Sequence, residues 1–209
     1  ILSAIVFYEV IFNQYEENII IATWINSGSL EVNWSMKIDA LSSVMLVVVT
    51  FVSALVHIYS IGYMSHDPHK PRFMAYLSLF TFAMLMLVTS DNFIQLFFGW
   101  EGVGLCSYLL IGFWYKKETA NNAAIKAFIV NRIGDFGLAI AIFLIFFFFN
   151  TINFEDVFQT TSQFVDEKIV FLGLEFNLIT LICIFLFIGA MGKSAQFLLH
   201  TWLPDAMEG

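Results

Sequence analysis

Charged side chains are scarce in this sequence. Only 12% of its 209 residues are Asp, Glu, Lys or Arg, whereas a typical soluble domain carries about 25%. The charges are also clustered, and the long runs between them are apolar and contain most of the 25 phenylalanines. Because a helix needs about 20 apolar residues to cross a bilayer, we expect most of this chain to lie in a membrane.

The chain also has few cysteines and no net positive charge, and each of these facts excludes a class of function. The two cysteines, Cys106 and Cys183, are too few to provide all the ligands of an iron–sulfur cluster. The net charge of −8 argues against a nucleic-acid surface. No nucleotide, flavin or haem motif is present, so we expect no cofactor and no metal on this chain. The sequence does not begin with Met, and we interpret it as an internal fragment.

Alternating apolar runs and polar loops predict an all-α, polytopic transmembrane helix bundle. Residues 1–38 are interpreted as the end of a span followed by an acidic outer loop, and residues 39–209 as one transmembrane domain. A second acidic loop is expected at Thr151–Glu175. The prediction is about five complete spans plus one partial span, the complete ones being Ala40–Met64, Phe73–Ser90, Phe93–Tyr115, Asn121–Phe149 and a last span from Phe176 onward.

Loop charges predict the orientation of these spans. Loop 65–72 contains Lys70 and Arg72, and loop 116–120 begins with Lys116 and Lys117. Short basic loops stay on the inner side of a membrane. Loops 65–72 and 116–120 are therefore predicted to face the cytoplasm or the mitochondrial matrix, and the acidic loops the opposite side.

Two isolated charges, Glu101 and Lys193, fall inside predicted spans, where a central charge costs about 2.5–3.5 kcal/mol on insertion scales. Ionisable residues in such positions usually have a function. One interpretation is a structural ion pair that fixes two helices. The other is a proton switch, because an ion pair keeps both partners charged, whereas separating them in an apolar setting favours their neutral forms. Lys193 would then release a proton and Glu101 would take one.

Further polar residues surround this pair in the sequence. Arg132 and Asp135 are spaced i, i+3 and can pair on one helix face, at the inner boundary of their span. Lys126 is interpreted either as an interfacial lysine or as a functional one. His200 is interpreted either as a proton shuttle or as a hydrogen-bonding partner of the backbone.

Glycines flank both isolated charges. Those around Glu101 allow a neighbouring backbone to approach. Those before Lys193, in the run Gly189-Ala190-Met191-Gly192, are expected to weaken the last helix, and Pro204 adds a second break. Interrupted helices in membranes are tolerated where they line a cavity and often mark ion sites. The last helix is therefore predicted to be discontinuous beside Lys193.

Two patterns imitate other sites. Gly192-Lys193-Ser194 resembles the end of a P-loop, but that motif needs a preceding strand and a glycine at position 187, where Phe187 stands, so we reject it. His66, Asp67 and His69 are potential metal ligands. With prolines among them, they are better interpreted as a solvated turn.

Three separate motifs in order give the chain a specific resemblance. They are Gly99-Trp100-Glu101-Gly102-Val103-Gly104-Leu105-Cys106-Ser107, the run from Lys126 to Asp135, and the run from Gly192 to Gln196, followed by His200-Thr201-Trp202-Leu203-Pro204. From about Asp39 onward the chain closely resembles the subunit 5 family of NADH:ubiquinone oxidoreductase, respiratory complex I. The resemblance implies an antiporter-like, proton-translocating transmembrane domain, of which this chain is the truncated N-terminal half.

The resemblance also implies the roles of the charged residues and the setting. Glu101 and Lys193 would form the proton-transfer pair, with Asp135 and Arg132 modulating it. NAD, FMN, iron–sulfur clusters and ubiquinone would be bound by other subunits of the enzyme, with no redox centre on this chain. Expected partners are other complex I subunits, especially the neighbouring antiporter-like subunit, and the lipid bilayer.

The expected location is the mitochondrial inner membrane, with loops 65–72 and 116–120 facing the matrix. Two alternatives remain open. One is a subunit of a multi-subunit cation/proton antiporter or of a membrane-bound hydrogenase. The other is a structural bundle whose buried ions only fix the helix register.

Overall fold

Helices dominate the computed structural model, which describes residues 1–209. Seven α-helices are joined by short connections and by two small antiparallel hairpins. The helices are α1 (Leu2–Asn13), α2 (Ala40–Tyr63), α3 (Lys70–Val88), α4 (Phe93–Ile111), α5 (Glu118–Phe149), α6 (Phe154–Thr160) and α7 (Leu178–Lys193). The strands are β1 (Glu17–Ser27), β2 (Leu30–Ile38), β3 (Lys168–Phe171) and β4 (Leu174–Asn177).

Four helices, α2 to α5, are long and apolar enough to cross a membrane. They match four of the five complete spans that the hydropathy pattern predicts. Side-chain caps fix where two of them begin. Asp39 and Ser42 form a reciprocal capping box at the start of α2, and the Asn92 side chain accepts a hydrogen bond from the Gln95 backbone at the start of α4. These caps satisfy backbone N–H groups that a helix leaves free at its N-terminus.

The last apolar helix, α7, is shorter than α2 to α5 and ends at Lys193. Its 16 residues span about 24 Å at 1.5 Å per residue, less than the bilayer core of about 30 Å. After it, Ala195 and Leu198 adopt left-handed backbone conformations, with φ of 49° and 78°, which an α-helix cannot accommodate. A short 3₁₀-helix follows at Asp205–Glu208. The predicted break beside Lys193 is thus confirmed.

The two segments predicted as acidic loops are not irregular, and that part of the prediction was wrong. In 13–38, β1 pairs with β2 across the turn Gly28-Ser29, and Gly28 has a φ of +63°. In 151–175 the chain forms α6 and a second hairpin, whose turn, Leu172-Gly173, has positive φ at both residues. Two-residue turns with positive φ match the twist of paired strands. The run Ile19-Ile20-Ile21 favours strand as well.

The β1–β2 hairpin is docked on the first turns of α4. Gln95 is fully buried, its Oε1 accepts from the Ser35 backbone N–H at 3.0 Å, and its Nε2 donates to the Ser35 carbonyl at 2.7 Å. Phe98, one turn further along α4, makes edge-to-face contacts with Trp24 and Trp34. The β1–β2 hairpin and the helix that carries Glu101 are therefore held together by both polar and aromatic contacts.

Small residues let the helices approach closely. A Cβ at Gly99 would lie 2.7 Å from the backbone of Leu87 on α3, so the predicted close approach of a backbone near Glu101 is confirmed. A Cβ at Gly134 on α5 would lie 3.1 Å from the Cα of Gly192 on α7. Gly192 therefore serves helix packing rather than weakening α7, which stays helical through it.

Candidate functional site

Glu101, at the middle of α4, is bonded to α5. Its Oε2 accepts a hydrogen bond from Nη1 of Arg132, and the two side chains form an ion pair. The guanidinium of Arg132 also lies 4.7 Å from the centroid of the Phe128 ring, one turn earlier on the same helix. Arg132 and Asp135 do not pair on their own helix face, contrary to the prediction, because Arg132 reaches across to Glu101.

Lys193, the last residue of α7, is paired with Asp135 of α5. Its Nζ lies 3.5 Å from Oδ2 of Asp135, which is only 3% exposed. The sequence suggests a direct pair between Glu101 and Lys193, and the structure contains no such contact. The ammonium of Lys193 nevertheless lies against α4, close to the position of Glu101. A Cβ at Gly104 would lie 2.5 Å from Nζ of Lys193, and Gly104 is one turn after Glu101 on the same face.

Together Glu101, Arg132, Asp135 and Lys193 form what we call the charge cluster. Three helices supply it: α4 gives Glu101, α5 gives Arg132 and Asp135, and the broken end of α7 gives Lys193. Of the four residues, Arg132 and Lys193 carry formal positive charge, and Glu101 and Asp135 carry formal negative charge. Each ion pair therefore joins different helices, and the cluster as a whole is electrically balanced.

Sequence reasoning missed two polar residues beside the charge cluster. Trp100 donates a hydrogen bond from Nε1 to Oδ1 of Asp135 at 2.7 Å. Asn131, 8% exposed, donates from Nδ2 to the Ala127 carbonyl. Two signals could have found them: Trp100 directly precedes Glu101, and Asn131 lies four residues before Asp135, on the same face of α5.

Several buried polar atoms in this region have no hydrogen-bond partner. They are Oε1 of Glu101, Nζ of Lys193 and Oδ1 of Asn131. Buried polar atoms are normally bonded, and leaving one unsatisfied costs about 1–3 kcal/mol. An acceptor oxygen on Glu101, one on the neighbouring Asn131 and the donors on Lys193 are thus available to further partners.

The segment after the helix break is tied back to α5 and its preceding loop. Lys126 forms an ion pair with Asp205 at 2.6 Å, and Lys117 forms one with Glu208 at 2.5 Å. The hydrogen bonds from Lys117 and from Thr119 hold the pKa of Glu208 below its usual value. Lys126, one of the candidate site residues, therefore anchors the segment after the break and does not contact the charge cluster.

His200 lies apart from the charge cluster. Its ring is stacked at 6.4 Å from that of Phe197, and the residue is exposed. The neighbouring Trp202 instead donates from Nε1 to the carbonyl of Gly192 at 3.1 Å. One interpretation of His200 was a hydrogen bond to the backbone near the break. In the structure, Trp202 makes that hydrogen bond instead.

Membrane-length helices, a helix broken at a lysine and a balanced cluster of charges between helices define a class of protein. It is the class of polytopic membrane proteins with ionisable groups between their helices. Comparison with known families makes this specific. Residues 90–209 match the family described as NADH:quinone oxidoreductase/Mrp antiporter, transmembrane. Residues 24–74 match the family described as NADH-ubiquinone oxidoreductase (complex I), chain 5 N-terminus. The chain belongs to the NADH:quinone oxidoreductase/Mrp antiporter family.

Curated relatives agree along the whole chain. It is 60% identical to NADH-ubiquinone oxidoreductase chain 5 of Triticum aestivum, over 100% of this chain and 31% of the relative. It is 56% identical to the protein of the same name from Chondrus crispus, over 99% of this chain and 31% of the relative. It is 58% identical to NADH-quinone oxidoreductase subunit L of Rhodobacter capsulatus, over 92% of this chain and 28% of the relative. The chain thus spans about a third of these relatives.

A solved structure has the same fold. The structure of an Mrp complex from Dietzia sp. DQ12-45-1b superposes with a TM-score of 0.79 at 23% identity. The match covers 100% of this chain and 22% of that one. At this identity the likeness concerns the fold alone, and it agrees with the all-α, polytopic bundle that the sequence predicts.

Proposed function

We propose that this chain is the N-terminal part of a proton-translocating membrane subunit of NADH:ubiquinone oxidoreductase, in which Glu101 and Lys193 exchange protons. The observation that carries the proposal is the charge cluster itself, in which Lys193 lies at the broken end of α7 between two carboxylates. Its ammonium is ion-paired with Asp135 and rests against Gly104, one turn from Glu101.

An exchange of partners within the charge cluster would move the proton. In the structure Arg132 holds Glu101 and Asp135 holds Lys193. When Arg132 leaves Glu101, the carboxylate loses its counter-charge in an apolar setting, and such a group takes up a proton more readily. When Lys193 leaves Asp135, the ammonium loses its counter-charge and releases a proton more readily. Asp135 and Arg132 are thus modulators of the pair, and His200 and Lys126 lie outside this exchange.

The family supports a specific setting for this chemistry. Hydride transfer and quinone reduction would occur on other subunits, which bind NAD, FMN, iron–sulfur clusters and ubiquinone. Partners would include the neighbouring antiporter-like subunit. The location would be the mitochondrial inner membrane, with loops 65–72 and 116–120 on the matrix side. Residues 39–209 would form the N-terminal half of the antiporter-like domain, and 1–38 the end of a span with its outer segment.

A subunit of a multi-subunit cation/proton antiporter is the competing assignment, and the structural likeness to an Mrp complex is the observation in its favour. The relatives with 56% and 60% identity are both named NADH-ubiquinone oxidoreductase chain 5, which supports the first assignment. Purification in mild detergent separates the two. If the chain belongs to NADH:ubiquinone oxidoreductase, flavin and iron–sulfur subunits should accompany the full-length protein. Their absence would favour the antiporter.

Substitution of Glu101 by Gln in the full-length subunit tests the proton-transfer role. The amide keeps the size of the carboxyl group but cannot take up a proton. We expect the enzyme to assemble and to oxidise NADH while its proton translocation falls. The matched control is Glu118→Gln, since Glu118 is exposed at the start of α5. Normal proton translocation by an assembled Glu101→Gln enzyme would refute the proposal.

A further inference from the structure

One turn of α4, from Trp100 to Gly104, contacts both partners of the ion pair between Asp135 and Lys193. Neither Trp100 nor Gly104 has an ionisable side chain, so neither belongs to the proton-transfer groups. We propose that Trp100 and Gly104 are positioning residues: Trp100 fixes the carboxylate of Asp135, and Gly104 provides the space that the ammonium of Lys193 occupies. This inference rests on the proposed proton-transfer function and adds two residues that set its geometry.

On the carboxylate side, the two oxygens of Asp135 have different partners. Oδ1 accepts the Nε1–H of Trp100 at 2.7 Å, and Oδ2 lies 3.5 Å from Nζ of Lys193. A hydrogen bond to a charged group is stronger than a neutral one, and a tryptophan side chain has few rotatable bonds. Trp100 therefore fixes the rotation of the carboxyl group, so that Oδ2 is the oxygen presented to Lys193.

On the ammonium side, Gly104 leaves space that any other residue would fill. A Cβ there would lie 2.5 Å from Nζ of Lys193 and 3.8 Å from its Cε, with no other atom within 4 Å apart from the nearby backbone of α4 and the adjoining residues. The contact is thus with the mobile end of a long side chain and not with backbone. An added methyl group would push the ammonium aside at little expense to the fold, and alanine favours the helical state more than glycine does.

The other two glycines of this turn region behave differently. A Cβ at Gly99 would meet the backbone of Leu87, and a Cβ at Gly102 would meet Cβ of Ala83 at 2.9 Å. Both face α3 and serve helix packing. Gly104 alone of these three faces the charge cluster, so its substitution separates the position of Lys193 from the packing of α3 against α4.

The same turn determines how far Lys193 is from Glu101. With Gly104 in place, the ammonium lies against α4 one turn from Glu101, while its ion pair is with Asp135. Moving the ammonium off this surface disturbs its ion pair with Asp135, and rotating the carboxyl group of Asp135 disturbs the same ion pair from the other side. Each change should disturb proton exchange without removing an ionisable group.

The test uses the full-length subunit in the assembled enzyme. Gly104→Ala and Trp100→Phe are each combined with Asp135→Asn in a double-mutant cycle. The control is Gly62→Ala, since a Cβ at Gly62 meets nothing within 4 Å. The measurements are NADH oxidation, proton translocation and the dependence of translocation on pH.

A misplacement of about 1 Å can slow a reaction by about 100-fold, and for Gly104→Ala we expect about a tenfold loss of proton translocation with a shifted pH profile. In the Asp135→Asn background neither Gly104→Ala nor Trp100→Phe should reduce translocation further. Translocation by Gly104→Ala equal to that of Gly62→Ala would overturn the proposal. So would losses that add in full to that of Asp135→Asn. If Gly104→Ala prevents assembly, the Trp100→Phe cycle decides alone by the same criterion.

Failure of this inference differs from failure of the proposed function. If Glu101→Gln abolishes translocation while Gly104→Ala and Trp100→Phe act independently of Asp135→Asn, only the positioning role is wrong. If Glu101→Gln pumps normally, the function itself is wrong.

Discussion

Lys193 forms an ion pair with Asp135, 3.5 Å away, while Glu101 is bonded by Arg132. One ion pair thus joins α4 to α5, and the other joins α7 to α5. The pair suggested by the sequence, Glu101 with Lys193, is not in direct contact. The ammonium of Lys193 nevertheless lies against Gly104, one turn after Glu101 on α4, so the proposed exchange of carboxylates would require a movement of its long side chain.

Removing the charge of Asp135 should affect stability more than removing that of Glu101. Asp135 is 3% exposed and pairs with Lys193, and loss of one partner of a buried ion pair costs about 3–5 kcal/mol. Glu101 pairs with Arg132, whose side chain is 47% exposed and also lies over the Phe128 ring, so Arg132 keeps a second partner after Glu101→Gln. We expect Asp135→Asn to lower the midpoint of thermal unfolding of the purified complex, with Glu101→Gln close to wild type. Equal midpoints for the two variants would contradict this.

Gln95 should be needed to hold the β1–β2 hairpin on α4. Gln95→Leu leaves the buried N–H and C=O of Ser35 without partners, at a cost of about 1–3 kcal/mol for each group. We expect faster proteolysis within residues 13–38. Gln159→Leu is the control, because Gln159 is exposed on α6 and bonds only to Glu155. Proteolysis of this segment at the wild-type rate would show that the aromatic contacts of Phe98 suffice for docking.

Gly134 should tolerate no side chain. A Cβ there would lie 3.1 Å from the Cα of Gly192 and equally close to the carbonyl oxygen of Ile188, and backbone cannot move aside as a long side chain can. Gly134→Ala should therefore push α5 and α7 apart, with an overpacking cost of about 1–3 kcal/mol. The yield of assembled complex and its thermal midpoint measure this. Gly62→Ala, in open space, should leave both at the wild-type value, and an equally stable Gly134→Ala would refute the packing role.

Acid should loosen the contact between the 3₁₀-helix at Asp205–Glu208 and the loop before α5. Hydrogen bonds from Lys117 and Thr119 lower the pKa of Glu208. A carboxyl group with a lowered folded-state pKa stabilises the fold above its unfolded pKa, and that stabilisation is lost as the pH falls through the folded-state value. We expect the distance between spin labels at Asn122 and Met207 to lengthen as the pH is lowered from neutral.

Neighbouring lysines provide the control for this pH effect. Lys117→Met should give the longer label distance already at neutral pH, with little further change on acidification. Lys116→Met should behave as wild type, because Lys116 has no ion pair with Glu208. A pH response that survives in Lys117→Met would show that another group controls this contact.

The two hairpins were not predicted from the hydropathy of the sequence. Polar composition correctly placed 13–38 and 151–175 outside the apolar helices, but it carried no information about pairing. The run Ile19-Ile20-Ile21 favours strand, whereas the acidic composition of the whole segment led to the prediction of a loop. Pairing depends on Gly28 and Gly173 in their turns and, for the first hairpin, on burial of Ser35 against Gln95, 60 residues away.

The sequence by itself determined that the chain spans a membrane, where the long helices lie, and that Glu101 and Lys193 stand in apolar surroundings. Those features follow from local composition, because a bilayer selects long apolar runs and makes each isolated charge expensive. Only the tertiary structure decided which charges pair. Spacing allows Arg132 to reach Asp135, but contact depends on how α4, α5 and α7 approach one another. The glycines at 99, 134 and 192 set that approach, and it brings Arg132 to Glu101, Lys193 to Asp135, and Trp100 and Gly104 to the same site.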